Sequence, residues 1–325
     1  MPRIAIIGAG ISGLTLAQRL SDHAEIVIHE KSRGPGGRMA TRRTGNHHFD
    51  TGAQFFTARS RRFRKFLQPA REAGAVVSWE PKLVSIDRSS RNYKRFWFEP
   101  HYIGHPMMTS LAKYLAAGHS VLSGSKVTAL QDSNGQWSLR EENGTVHGPY
   151  DWVVGTAPAP QSRTLFGDHG AASEWLDQIR MQPCLCALIR LPVEVPFPWQ
   201  VVEPRHSMIR WMADQRTKKG RPATRSLVLH AHNDWSDLYF EADEPWLKER
   251  FLTELEQLTN IAPEQVTGIE LKRWRCARVE QAAEHPFWMD EQLQLGLCGD
   301  GGVGGSVESA FTSADRLARA LLPVL

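Results

Sequence analysis

The chain has 325 residues, 41% of them hydrophobic and 23% charged, the composition of a globular protein long enough to bury a large core in two domains. Its 39 basic and 35 acidic side chains leave a formal charge of +4, which excludes nucleic acid or a membrane surface as a partner held by bulk charge. Cys184, Cys186, Cys276 and Cys298 form no CxxC pair and read as thiols of a reducing compartment. No apolar run reaches transmembrane length. The apolar start is broken by Gly8, Gly10 and Gly13 without a small-residue cleavage site. It reads as a core strand and turn, and the expected location is the cytoplasm.

Ile4-Ala5-Ile6-Ile7 suits a parallel strand buried on both faces. The following Gly8-Ala9-Gly10-Ile11-Ser12-Gly13 has the spacing of a dinucleotide turn. Gly8 serves the tight turn, Gly10 the approach of a pyrophosphate to the backbone, and Gly13 the packing of the helix on the strand. A helix is predicted over 12–20 and a second strand over 25–30. That strand ends in Glu30, 22 residues after Gly8, where such folds place a carboxylate on ribose hydroxyls. Lys31 through Gly36, Gly37 and Arg38 form a second glycine-rich loop, whose amides and guanidinium suit the same pyrophosphate. Ala53, Gln54, Phe55, Phe56 and Thr57 follow a small-residue turn and read as a floor for a flat ring system.

The basic run 59–66 carries Phe63, Phe66 and Leu67 at helical spacing, so it predicts an amphipathic helix with a solvated basic face. Near a cleft, that charge would draw in an anionic substrate. Strands are expected over 93–99, 181–191, 206–213, 225–231 and 269–277. Asp243 is placed to cap a helix lined by Leu247, Phe251, Leu255 and Leu258. Residues 192–204, with four prolines, read as a surface connection. A last strand over 293–298 leads into Gly299-Asp300-Gly301-Gly302, and a helix is expected from Ser306, with Val307 in its first turn. Asp300 is placed to accept from ribityl or ribose hydroxyls. The helix N-terminus would aim partial positive charge at the pyrimidine carbonyls of a flavin, favour its anionic reduced form and raise its potential. A glycine-rich turn at each end of the chain points to one cofactor gripped from two sides, as FAD is held. Cys298 precedes the second turn inside a strand, so FAD is expected to be non-covalent.

Glu30-Lys31 with Gly36-Gly37-Arg38, followed by Asp50, Gly52, Ala53 and Gln54, resembles the flavin-containing amine oxidase superfamily. Gly124 through Leu130 resembles the segment whose valine backbone meets the adenine, here Val127. Residues 151–158 resemble the strand and turn that close the FAD domain, and 299–310 the second flavin turn. The stretches 52–59, Gly104-x-Pro106-Met107 and Trp274-Arg275 are similar to the renalase branch. The resemblance implies an α/β fold: a Rossmann-type FAD-binding domain of the glutathione-reductase and amine-oxidase kind, with a second, mixed-sheet α+β substrate domain. The FAD domain is expected to be discontinuous, over 1–58, 105–160 and 290–325, and the substrate domain to span 59–104 and 161–289.

In the same resemblance, amine-oxidising members carry a tyrosine where this chain has Ser306, which leaves the aromatic cage for an amine incomplete. The renalase branch implies oxidation of isomeric dihydronicotinamide dinucleotides, the 2- and 6-dihydro forms of NAD(P), with dioxygen taking the electrons and hydrogen peroxide as product. The partners expected are thus a small dinucleotide and O2. Two other readings stand beside it: oxidation of an amine or desaturation of another small substrate, and a non-catalytic FAD-binding redox sensor. Hydride loss from a dihydropyridine needs alignment more than an acid or base, and no nucleophile elbow or Cys–His pattern is evident. Candidate walls for the nicotinamide are Trp97, Trp211, Trp274 and Trp288, and candidate partners for its carboxamide are His230, His232 and Gln54. His230 and His232 would share one face of a strand, without a carboxylate or cysteine at a ligand spacing, so no metal is expected.

Overall fold

The computed structural model describes residues 1–86 and 99–325, together with the backbone of 92–95. β1 (Arg3–Ile7), α1 (Ile11–Leu20) and β2 (Glu25–Glu30) form the expected parallel unit, with Ile4 opposite Ile26. The hairpin of β3 (Thr41–Thr44) and β4 (His47–Asp50) leads into the short β5 (Phe56–Thr57). Ser60 Oγ accepts from Phe63 N at the start of α2 (Arg61–Glu72), which buries Phe63, Leu67 and Ala70 and leaves its arginines toward water. Then come β6 (Val76–Ser78), β7 (Leu83–Ile86), β8 (Asn92–Arg95) and β9 (His101–Gly104). The strand expected over 93–99 is seen as β8, while Phe96, Trp97 and Phe98 lie outside the described residues.

α3 (Thr109–Ala116), β10 (Ser120–Ser123), β11 (Val127–Ser133), β12 (Gln136–Glu141), β13 (Val146–Tyr150) and β14 (Trp152–Gly155) return the chain to the first sheet. α4 (Ala159–Phe166) and α5 (Ala172–Asp177) precede the long β15 (Arg180–Leu191). β16 (Val201–Pro204), β17 (Ile209–Asp214) and β18 (Arg225–Ala231) follow, then α6 (Asn233–Leu238), α7 (Glu244–Thr259) and β19 (Gly268–Gln281). Asp243 caps α7 as expected, accepting from Trp246 N. β20 (Phe287–Asp290), β21 (Leu295–Cys298) and α8 (Val307–Leu321) complete the fold.

Two large sheets face one another across a cleft. The nucleotide sheet has the order β10-β2-β1-β14-β21-β20 and is parallel up to its antiparallel edge, β20. The second sheet, β19-β15-β18-β17-β16-β7-β8, is antiparallel except where β16 runs alongside β7, and is therefore mixed. Its outer face packs Leu185, Ala187, Leu227 and Leu229 on Leu247, Phe251 and Leu255 of α7. Alternation with period two sends Cys184, Cys186, His230, Trp211 and Trp274 to the opposite face.

Three segments expected in the substrate domain pack on the nucleotide side. Phe63 and Leu67 of α2 join Leu14 and Phe311 in one core cluster. Phe166 and Trp175 of α4 and α5 join Ala5, Val153 and Leu295 in another. β20 is hydrogen-bonded to β21. An amphipathic helix shows in sequence which face it buries, but not against which sheet.

Candidate active site

The cleft encloses about 2540 Å³, well beyond the roughly 300–1,000 Å³ that serve one drug-sized ligand. Of the expected cofactor residues, Gly8, Gly10, Ile11, Ser12, Glu30, Lys31, Gly37, Arg38, Ala53, Gln54, Phe55, Phe56, Thr57, Val127, Asp300 and Val307 line it. Gly13 and Gly299 lie behind the lining. A Cβ at Gly13 would overlap the Gly8 carbonyl and press on Ile6 Cγ2, so the residue sets helix-to-strand distance. Gly299 donates its N–H to Ser313 Oγ at 2.9 Å.

Glu30 is buried at the end of β2. Its two carboxylate oxygens accept from Ala9 N and Ser32 N, both at 2.8 Å, and hold the two glycine loops in register. Arg38 and Asp300, expected to reach for the ligand separately, are paired with each other by two hydrogen bonds. Ser306 Oγ accepts from Ser309 N at 3.0 Å and so caps α8, a task that a tyrosine could not perform.

The substrate wall departs further from expectation. His230 Nε2 and Trp274 Nε1 both donate to the Thr51 carbonyl, at 3.0 and 2.8 Å. Because a carbonyl only accepts, His230 carries its proton on Nε2 and leaves Nδ1 as an acceptor. Burial, with Lys218 and Arg210 nearby and the Thr51 bond opposing, pulls His230 down to about 4, so the ring is neutral. Trp211 also lines the cleft, its ring 5.6 Å from that of Phe55. His232 does not share the face of His230. β18 ends at Ala231, and His232 begins α6 beside a small side pocket with Arg205 and Glu203. Trp288 is likewise remote from the wall, on β20 in the core behind the nucleotide sheet. Trp97 lies outside the described residues.

Gln54 lines the cleft, but its amide is committed to the protein. Nε2 donates to the Asp50 carbonyl, and Oε1 accepts from Gln215 Nε2 at 2.9 Å and Lys218 Nζ at 3.1 Å. This opens on a buried cluster that local spacing did not reveal. Asp50 Oδ2 accepts from Lys218 Nζ at 2.8 Å and from Arg221 Nη2 at 2.6 Å. Burial alone would raise the Asp50 carboxyl, but the two cations outweigh it and hold the group at about 2. Burial pulls Lys218 down to about 8 against the pull of Asp50, which leaves it protonated at neutral pH. Cys184 faces the cleft as an inert thiol, pushed up to about 12 by burial.

Sequence also overlooked a group of metal-ligating type at the far end. His29, Glu141 and His147 bring one donor atom each within 4.8 Å of one another. These atoms are already engaged: His147 Nε2 with Glu141 at 2.8 Å, and His29 with Ser125 Oγ at 2.7 Å and the Tyr150 hydroxyl at 3.0 Å.

Residues 6–70 match the NAD(P)-binding Rossmann-like domain, and residues 93–322 match the flavin containing amine oxidoreductases. Among solved structures, the chain is similar to a protein of Exiguobacterium sp. 255-15 provisionally assigned as a protoporphyrinogen oxidase. The two are 12% identical over 98% of each chain, with a TM-score of 0.77. It is also similar to a putrescine oxidase bound to putrescine, 11% identical over 99% of each chain, with a TM-score of 0.72. At these identities the likeness is one of fold. No helix of the described residues is long and apolar enough to cross a membrane.

The cleft fits FAD on its own geometry. A Cβ at Gly10 would meet nothing within 4 Å, so the backbone there is open to a ligand. Gly10 gives α1 no side-chain cap, which leaves the helix N-terminus free to face an anion. Lys31, Arg33 and Arg38 line the same stretch. With that fit, and with a family match running from residue 93 to 322, the chain belongs to the flavin-containing amine oxidoreductase family, and its cofactor is FAD.

Proposed function

We propose that this chain is an FAD-dependent oxidase of isomeric dihydronicotinamide dinucleotides, converting the 2- and 6-dihydro forms of NAD(P), with O2 and a proton, to NAD(P)+ and H2O2. The observation that carries this reading is the charge of the cleft. Thirteen lysine and arginine side chains line it, against five carboxylates. Glu30 is held by backbone amides and Glu308 by the N–H groups of Arg59 and Ser60, while Asp300 and Glu99 cancel Arg38 and Arg59, so that an excess of cations remains. A protonated amine would enter a field of its own sign, whereas a dinucleotide would be steered inward. Putrescine, the ligand of one structural neighbour, is a poor match to that field.

When bound, FAD would supply a two-electron acceptor that dioxygen can reoxidise. In this reading Glu30 holds the cofactor ribose, Gly10 and Gly37 flank the pyrophosphate, and Val127 meets the adenine. The segment from Ala53 to Thr57, with Val307, borders the ring. Trp211 and Trp274 wall the substrate's nicotinamide, and His230 Nδ1 accepts from its carboxamide. Neutral His230 and the raised Cys184 thiol make the wall a poor source of base catalysis. That suits a substrate whose hydride leaves with aromatisation and asks chiefly for alignment.

The test is anaerobic mixing of the yellow holoenzyme with 2- and 6-dihydro-NAD(P), with ordinary 4-dihydro-NADH and with a panel of amines. Rapid flavin bleaching by the isomers is expected. Bleaching by amines instead would overturn the reading, and no bleaching by any of them would favour a sensor.

A further inference from the structure

We infer that Arg210 and Arg278 form a subsite for the diphosphate of the substrate, at one end of the aromatic wall; the inference rests on the dinucleotide reading above. Both side chains line the cleft, and each sits at an irregularity in its strand. β17 shifts register between Ile209 and Trp211. β15 shifts against β19 between Gln182 and Cys184, with Gln182 opposite Arg278. Such bulges re-aim side chains at the edge of a site. Asn233 then fixes the first arginine over the second strand pair. Its Oδ1 accepts from Arg210 Nη1 at 3.3 Å, and its Nδ2 donates to the Pro183 carbonyl at 2.7 Å. Pro183 is the neighbour of Gln182, so the clamp ties Arg210 to the strand position next to the one paired with Arg278.

Among the described residues no carboxylate forms an ion pair with Arg210 or Arg278. Partial desolvation and the charge of Arg278 both weaken the hold of the exposed Arg210 on its proton. Two guanidinium groups that line one wall and feel each other's charge repel, and a bidentate anion reaching both relieves the repulsion while forming charge-assisted hydrogen bonds. Four other arginines that line the cleft are occupied: Arg42 by Glu270, Arg59 by Glu99, Arg275 by Glu241, and Arg273 by the carbonyls of Phe240 and Ala242. The pair adjoins the ring wall on both strands. Arg210 precedes Trp211, and the Gln182–Arg278 step adjoins the Cys184–Trp274 pair. A ring between the tryptophans and a diphosphate on the arginines thus belong to one extended ligand.

The test uses FAD-loaded wild type, Arg210→Gln, Arg278→Gln and the double variant. Calorimetric titration with ADP-ribose, which carries the diphosphate without nicotinamide, is expected to show affinity falling roughly tenfold for each arginine removed. Flavin bleaching is followed in parallel, with the preference for isomeric dihydro-NAD(P) over the corresponding dihydronicotinamide riboside expected to narrow in step. Inorganic phosphate serves as a second probe, and wild type that binds it as tightly as ADP-ribose would overturn the assignment to a substrate diphosphate. Wild type that fails to bind ADP-ribose, or a double variant that binds it unchanged, would overturn the subsite. If the isomers bleach wild type and the double variant at the same concentrations, the subsite fails and the redox reading stands. If ADP-ribose affinity falls but no isomer bleaches wild type, the subsite stands as an anion site and the redox reading fails.

Discussion

Arg38 and Asp300 close a two-point ion pair, Nη1 to Oδ2 at 2.7 Å and Nη2 to Oδ1 at 2.6 Å, that ties the glycine loop after β2 to the turn after β21. The pair is largely withdrawn from solvent on the aspartate side, where 8% of the side chain is exposed. It sets how far apart the two loops stand. Asp300→Ala should therefore raise the FAD dissociation constant about 10- to 100-fold, the loss of one strong charge-assisted interaction. Fluorescence titration of apoprotein with FAD reads this directly, and an unchanged constant would show that the loops hold their spacing without the pair.

The two turn glycines should fail in different ways. Gly10→Val places its side chain in the open space of the cleft, so the apoprotein should melt at its normal temperature yet purify colourless. Gly13→Val drives carbon into the Gly8 carbonyl and Ile6 and should lower the melting temperature of the apoprotein itself. Normal flavin content in Gly10→Val would refute the placement of the pyrophosphate.

The cluster behind Gln54 gives an ordered pair of stability losses. Asp50→Asn leaves Lys218 and Arg221 buried without an anion and should cost about 3–5 kcal/mol. Lys218→Met should cost less, because Arg221 still neutralises Asp50 at 2.6 Å. Denaturant titration of both variants checks the order, and a reversed order would mean that the lysine, not the carboxylate, organises the site.

Acid should weaken the fold in two steps. His29 and His230 are both pulled down to about 4 in the folded protein, against about 6.5 when unfolded. Between those values the unfolded chain binds more protons, so stability is complete above about pH 6.5 and falls as pH drops toward 4. Each histidine contributes a slope of at most about 1.4 kcal/mol per pH unit in that window. Asp50, held at about 2, adds a second loss only below about pH 4. Melting temperatures across pH 3–8 should show both steps, and His230→Gln should flatten the first.

What the chain disclosed before folding was what local spacing encodes. β1, α1, β2 and Glu30 follow from contiguous residues, and the start of α8 follows from Ser306 and the apolar stripe behind it. Arg38 and Asp300 were each visible as site residues, but not as a pair, because 262 positions separate them. His232 misled because the strand stops one residue earlier, and Trp288 because a half-buried tryptophan looks alike in sequence beside a core and in a pocket. Lys218 showed nothing in its neighbourhood. Its partners Asp50 and Gln54 lie more than 160 positions away, and only the folded sheet makes the three adjacent.

The hydrogen bond from Ser12 Oγ to the Ala310 carbonyl, 3.0 Å long, joins the first helix to the last. During synthesis this contact has to wait for the 298 residues that separate its partners. The amino-terminal βαβ unit emerges from the ribosome with half a nucleotide site and an uncovered helix flank, and stays so until the final strand and helix dock. Cofactor capture then has to wait for β21 and α8, and a nascent chain stalled before residue 295 should hold no flavin at all.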